Sequence, residues 1–120
     1  MIGIGQLHSV VLDAPDPYGL ATFYAGLLGM EIKGGPGDDW VVATGAGHRL
    51  AFQQAPDLRP PDWPDPDRPQ QFHLDVYVHD IDEAEPKALG LGAKRLPGEG
   101  GDFRVYADPV GHPFCLVWDA

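Results

Sequence analysis

The sequence predicts an α+β fold of two tandem βαβββ modules, forming a curved mixed sheet around a cleft with helices on the outer face. Three observations predict it. The chain repeats itself: setting His8 against His73 brings Val10-Val11-Leu12 onto Asp75-Val76-Tyr77 and Leu28-Gly29-Met30 onto Leu91-Gly92-Ala93. Trp40 then meets Phe103, and Gly47–Phe52 meets Gly111–Leu116, at offsets between 63 and 65 residues. Each half also holds one segment of helical periodicity among short alternating ones. Finally, 120 residues with 43% hydrophobic content build one core but not two independent ones. Two like units with a face each to bury tend to pair about a pseudo-two-fold axis, and a functional cleft is expected on the seam.

The elements follow in order. Leu7 to Leu12 alternates and is β-branched, as a strand requires. Asp16-Pro17 opens a helix, with Asp as N-cap and Pro where a missing N–H costs nothing. Leu20, Phe23, Tyr24, Leu27 and Leu28 make its apolar face, and Gly29 ends it. Strands are expected at Met30–Lys33, Trp40–Thr44 and His48–Gln54, punctuated by Gly34–Asp38 and Gly45–Gly47.

Module one is therefore 1–54. Residues 55–70 hold six prolines and read as a stiff, extended linker, in which Trp63 is expected to anchor over the surface or cleft.

Module two, 71–120, repeats the plan. Gln71–Val78 reads as a strand and Asp80 to Leu91 as a capped helix with Ile81, Ala84, Ala88 and Leu91 on one face. Pro86 is expected in its first turn, with the helix starting near Asp82, because a proline deeper inside would remove a helical bond. Strands near Ala93–Leu96, Phe103–Ala107 and His112–Trp118 complete the unit. Asp108-Pro109-Val110-Gly111 supplies the hairpin turn before the last of them.

Eighteen acidic against eight basic residues give a net charge of −10. That balance argues against nucleic acid and anionic membranes, and is compatible with solubility or with attraction to a cationic ligand. The first residues lack signal-peptide features, no apolar run approaches spanning length, and the single Cys115 suits a reducing compartment. A cytoplasmic protein is expected.

Strand alternation sorts the side chains. Phe72, Leu74, Val76 and Val78 are apolar and suit the helix side, leaving His73, Asp75 and Tyr77 on the other. Phe114, Leu116 and Trp118 likewise go to the helix, leaving Cys115 and Val117; by the repeat, Leu50 and Phe52 face the helix while Ala51 and Gln53 face the cleft. Polar side chains thus gather away from the helices. His73, Asp75 and Tyr77, with His8, are candidates for acid, base or orienting roles. Trp40, Trp63 and Phe103 are candidates to stack on a ligand, and Gln53 and Cys115 to contact it. His48 and His112 at the hairpins read as surface residues, and His79 as local structure.

The paired βαβββ units, the early strand histidines, the Leu-Gly-Met and Leu-Gly-Ala helix exits and the Asp-Pro-Val-Gly hairpin resemble the vicinal oxygen chelate superfamily. It contains glyoxalase I, bleomycin- and fosfomycin-resistance proteins and extradiol dioxygenases. The segments His73–Val76 and Asp108–Leu116 look most like its glyoxalase-like group. The resemblance covers the whole chain and implies a homodimer with a cleft for a small molecule, but a fold this widely used does not name the chemistry.

The resemblance also implies metal ligands at the first strand of each module and near the start of each last strand. His8 and His73 match. Ala51 and Cys115 fall where carboxylates are expected, so the standard quartet is missing and no metal or other cofactor is expected; any metal would fall to His8 and His73. A His8–His73–Cys115 zinc site is chemically possible, with Gln53 or Asp75 adding an oxygen. The expected function is a protein holding a small organic molecule between its modules. The alternatives are a drug- or metabolite-sequestering binder and a metal-dependent lyase or dioxygenase.

Overall fold

The computed structural model describes residues 3–70 and 72–120, and the chain divides into two compact units, Met1–Leu58 and Arg59–Ala120. The first contains β1 (Val10–Ala14), α1 (Pro17–Leu28), β2 (Glu31–Lys33), β3 (Trp40–Gly45) and β4 (His48–Gln54). The second contains β5 (Leu74–Tyr77), α2 (Ile81–Leu91), β6 (Lys94–Gly100), β7 (Phe103–Ala107) and β8 (Pro113–Val117). Each is βαβββ, as predicted. The sheets run β1-β4-β3-β2 and β5-β8-β7-β6, with the β1–β4 and β5–β8 pairs parallel and the others antiparallel.

In the first unit α1 starts at the predicted proline and stops at Gly29, whose φ of 68° a residue with a Cβ adopts poorly. Asp16 occupies the N-cap but its side chain makes no capping bond, contrary to expectation; it contributes its backbone carbonyl to Leu20 N–H instead. Leu20, Phe23 and Tyr24 are buried, and Tyr24 stacks on Phe52 with ring centroids 5.9 Å apart. Phe52 therefore faces the helix, and each such apolar side chain contributes about 1.5–3 kcal/mol by leaving water.

The second unit holds its helix differently. Asp80 caps α2 by accepting from Asp82 N–H and Glu83 N–H. Among the described residues of α2 only Ala88 is buried, while Leu91, expected on the packed face, is 44% exposed. A polar cluster ties the helix down instead. Glu85 accepts from Arg95 at 2.7 Å, Arg104 at 3.1 Å and the Tyr106 hydroxyl at 2.8 Å. Burial works against the Glu85 charge, but the bonds from Tyr106 and Arg95 and the charge of Arg104 outweigh it and hold the carboxyl below its ordinary range. Pro86 lies inside α2 and not in its first turn, because the helix starts at Ile81. Its position is exposed, so water can take the Asp82 carbonyl that it leaves unbonded.

Two further segments depart from the sequence reading. The linker is not extended: Asp62 N–H bonds to the Arg68 carbonyl and Arg68 N–H to the Asp65 carbonyl, so aspartates between the prolines fold it into turns. β6 runs on to Gly100, and its pairing with β7 shifts between Arg95 and Glu99, a bulge that accommodates Pro97, which has no N–H to pair. The start of the predicted strand at Gln71 lies outside the described residues.

Burial also corrects the internal repeat. Leu12 is buried beside exposed Val11, and Val76 is half-buried beside exposed Asp75, so the faces of the two units coincide at 76 − 12 = 64 and 116 − 52 = 64 residues and are opposed at 65. At that offset His73 corresponds to Ser9, and His8 to Phe72. The histidine alignment at 65 is one residue out of step, and in a strand one residue changes the face.

The β7–β8 hairpin is fixed by Asp108, which is 2% exposed. Its Oδ1 accepts from the N–H groups of Val110, Gly111 and His112 at 2.9–3.0 Å. Gly111 has φ 113°, and a Cβ there would lie 2.8 Å from Pro60 Cβ. Replacing Asp108 with Ala removes three charge-assisted bonds and should lower stability by about 2–4 kcal/mol. Urea unfolding checks this; a loss below about 1 kcal/mol would mean that the carboxylate does not organise the turn.

Candidate functional site

The second unit contains a cavity of about 710 Å³, large enough for a drug-sized molecule. Its floor comes from the parallel β5–β8 pair. Asp75 and Cys115 are register partners, and His73 precedes Asp75 by two residues, so all three project from one face of the sheet. His73 Nε2 lies 3.1 Å from Asp75 Oδ1. The three donor atoms, imidazole nitrogen, carboxylate oxygen and Sγ, all lie within 4.8 Å of one another.

The opposite face explains the arrangement. Phe114 and Leu116 are fully buried, and Phe114 stacks on Tyr106 at 5.5 Å. Burying those two residues turns Cys115 and Val117 to the cavity, together with Phe103 and Val105 of β7. The face assignment predicted for β5 and β8 holds.

Burial pushes the Cys115 thiol up to about 11, helped by the negative charge of Asp75 and a hydrogen bond to it. The thiol is therefore neutral at physiological pH. The Tyr77 hydroxyl donates to Asp119 Oδ2 at 2.9 Å, and that bond first, then desolvation and the Asp119 charge, raises its pKa above the ordinary value. Tyr77 reaches the cavity with its proton already committed, which makes it a poor acid. Trp63 donates from its indole N–H to the Pro97 carbonyl at 2.7 Å, which fixes the ring at the cavity wall as the anchor predicted from sequence.

The cavity brings together His73, Asp75, Tyr77, Trp63, Phe103 and Cys115. It does not include the other predicted residues. His8 precedes β1, is exposed, and has its Nδ1 3.4 Å from Ser9 Oγ. Trp40 and Gln53 are partners in the β3–β4 register and are exposed on the first unit.

Among the cavity residues not named as candidates beforehand are Trp118, Asp102 and Asp119. Trp118 was assigned to the helix side, but β8 ends at Val117, so alternation no longer governs it; it lines the cavity and also carries Arg104 over its ring at 5.8 Å. Asp102 and Asp119 lie in a turn and beyond the last strand, where no periodicity marks direction. The only local signal was their adjacency to Phe103 and Trp118.

The metal quartet implied by the resemblance does not fit this chain. Ala51 offers no donor atom and is fully buried, and the first-unit position in step with His73 is Ser9.

Residues 9–117 match the profile of the glyoxalase-like domain. The chain belongs to that family. No curated protein matches it in sequence. Among solved structures, a hypothetical protein from S. aureus superposes with a TM-score of 0.72 at 19% identity, covering 98% of this chain and 96% of that one. The fosfomycin resistance protein FosX from Listeria monocytogenes gives 0.71 at 17% identity, covering 98% and 94%. A glyoxalase/bleomycin resistance protein/dioxygenase family enzyme from Burkholderia phytofirmans gives 0.69 at 17%, covering 92% and 95%. At these identities the likeness shows the fold. This glyoxalase-like protein thus has the architecture of the vicinal oxygen chelate superfamily.

The thiol makes a direct prediction. Folded Cys115 has its pKa raised to about 11, above the roughly 8.5 of an unfolded cysteine. The stability gained by keeping it protonated is full below about pH 8.5 and is lost as pH rises through about 11. The stability difference between wild type and Cys115→Ser should therefore shift against wild type over that range in urea unfolding. Alkylation by iodoacetamide at pH 8 should run on the order of a hundredfold slower than for free cysteine. A thiol that reacts like the free amino acid would contradict this.

Proposed function

We propose that this glyoxalase-like protein binds a small organic cation in the cavity of its second unit. One observation carries the reading. Three carboxylates, Asp75, Asp102 and Asp119, share the cavity with the rings of Trp63, Tyr77, Phe103 and Trp118, and no lysine or arginine lines it among the described residues. Aromatic faces attract cations, and carboxylates in a concave site reinforce that field. Arg104, which rests over the Trp118 ring, is paired with Glu85. The names of structurally similar proteins, which include fosfomycin and bleomycin resistance, support a small organic molecule as the ligand, while its positive charge rests on the cavity lining alone.

Proton transfer on the bound ligand is a second reading, favoured by the His73–Asp75 pair at 3.1 Å. A carboxylate beside an imidazole fixes its orientation, which is the arrangement a general base needs. Under sequestration alone, His73→Asn binds ligand and nothing is lost in turnover, because there is none.

The charge preference is tested with benzylamine, benzyl alcohol and benzoate on chelator-treated protein, read by tryptophan fluorescence. Benzylammonium should bind at least about tenfold more tightly than benzyl alcohol, with benzoate weakest. Trp63→Ala and Phe103→Ala should each weaken it severalfold while leaving the circular dichroism unchanged. Equal affinity for the three ligands would overturn the reading.

The proposal includes a homodimer in the cytoplasm, supported by the superfamily resemblance and by the single cysteine. Light scattering should give twice the chain mass, and a monomer would refute the dimer.

A further inference from the structure

The cavity floor is where imidazole, carboxylate and thiol donors converge among the described residues. A metal-free network of these three groups is one way to satisfy them. Their identity and spacing suit another.

Zinc binds nitrogen, oxygen and sulfur at about 2.0–2.3 Å, so tetrahedral ligands stand roughly 3.3–3.6 Å apart. The His73–Asp75 distance of 3.1 Å is already near that span. No pair of donor atoms exceeds 4.8 Å, so closure requires about 1 Å of side-chain movement and no change of backbone. The backbone already sets the group, since Asp75 and Cys115 are register partners in the parallel ladder and His73 lies one pleat away.

We propose that His73, Asp75 and Cys115 form a three-ligand, thiolate-containing zinc site whose fourth position opens into the cavity. It draws on no residue of the first unit, and Asp75 supplies an oxygen that Ala51 cannot. A nitrogen–oxygen–sulfur set selects borderline ions such as Zn²⁺ and Co²⁺ over Mg²⁺ and Ca²⁺, which take oxygen alone. On binding, the Cys115 thiol gives its proton to solvent, and thiolate and carboxylate together balance the two charges of the ion. Asp102 and Asp119 keep the remainder of the cavity negative, so the site goes beyond organic-cation binding and is compatible with it.

Chelator-treated protein titrated with Co²⁺ without oxygen is the test. One equivalent should produce the visible bands of a tetrahedral ion and a near-ultraviolet thiolate-to-cobalt charge-transfer band, and Zn²⁺ should displace it. Cys115→Ser should abolish the charge-transfer band, and Asp75→Asn should weaken Zn²⁺ at least about tenfold by calorimetry, with both variants folded by circular dichroism. His8→Asn should bind as wild type. A wild-type spectrum without a thiolate band overturns the site, as does a band that survives Cys115→Ser. Loss of binding in His8→Asn overturns its confinement to the second unit. If Cys115→Ser fails to fold, unchanged Zn²⁺ affinity in Asp75→Asn and His73→Asn overturns it instead. The benzylamine titration uses metal-free protein, so the two proposals fail separately.

Discussion

The register of the parallel β5–β8 pair is the constraint on which the second unit depends. Leu74 lies against Phe114 and Asp75 against Cys115, and every consequence for the cavity follows from that pairing. A slip of β5 by one residue against β8 would carry His73 and Asp75 to the helix face and leave Cys115 without them on the cavity side. The register is held from two directions. Phe114 and Leu116 are fully buried, with Phe114 stacked on Tyr106, and Asp108 fixes where β8 begins relative to β7. Chemistry on one face is thus specified by hydrophobic burial on the other, since two buried large side chains outweigh any preference of the polar ones.

The two units use one frame for different ends. At the corrected offset, Val11 corresponds to Asp75, Asp13 to Tyr77, Ser9 to His73 and Ala51 to Cys115. The first unit fastens its helix with Leu20, Phe23 and Tyr24, whereas the second fastens α2 through Glu85 and the arginines around it. Such a polar attachment stabilises less per contact than buried aromatics do, because desolvating the charges offsets much of their attraction. The second unit is therefore the less apolar of the two, and it is the one that carries the titratable floor.

Much of this was legible in the chain. Asp16-Pro17 and Gly29 set the ends of α1, Asp80 set the start of α2, and β3, β4 and β7 began at the residues expected, because caps, turns and alternation act locally. The cavity face of β5 and β8 was legible for the same reason: a uniformly apolar set at every second position leaves only one way to place the rest. What failed was non-local or aperiodic. Matching His8 to His73 aligned identical letters at 65, whereas the buried faces align at 64, the offset at which Gly47–Phe52 meets Gly111–Leu116. Trp118, Asp102 and Asp119 lie outside the strands, where direction is set by tertiary contacts. Leu91 kept its helical spacing yet is exposed, because α2 is held by Glu85 and the apolar stripe lacks a deep partner.

Charge shows most clearly why placement matters more than composition. A net −10 spread over a surface is screened within about 8 Å at physiological ionic strength, so it biases approach and little else. Asp75, Asp102 and Asp119 act across one cavity whose walls are aromatic, where the field is less screened and no lysine or arginine among the described residues cancels it. The same Asp75 carboxylate meets the His73 ring and the Cys115 thiol, and its charge helps to keep that thiol protonated. Only a positive charge placed among the three would favour carboxylate and thiolate together, and the cavity leaves room beside them for one. Acidic excess could be counted from the sequence; its convergence on a thiol and an imidazole follows from a strand register.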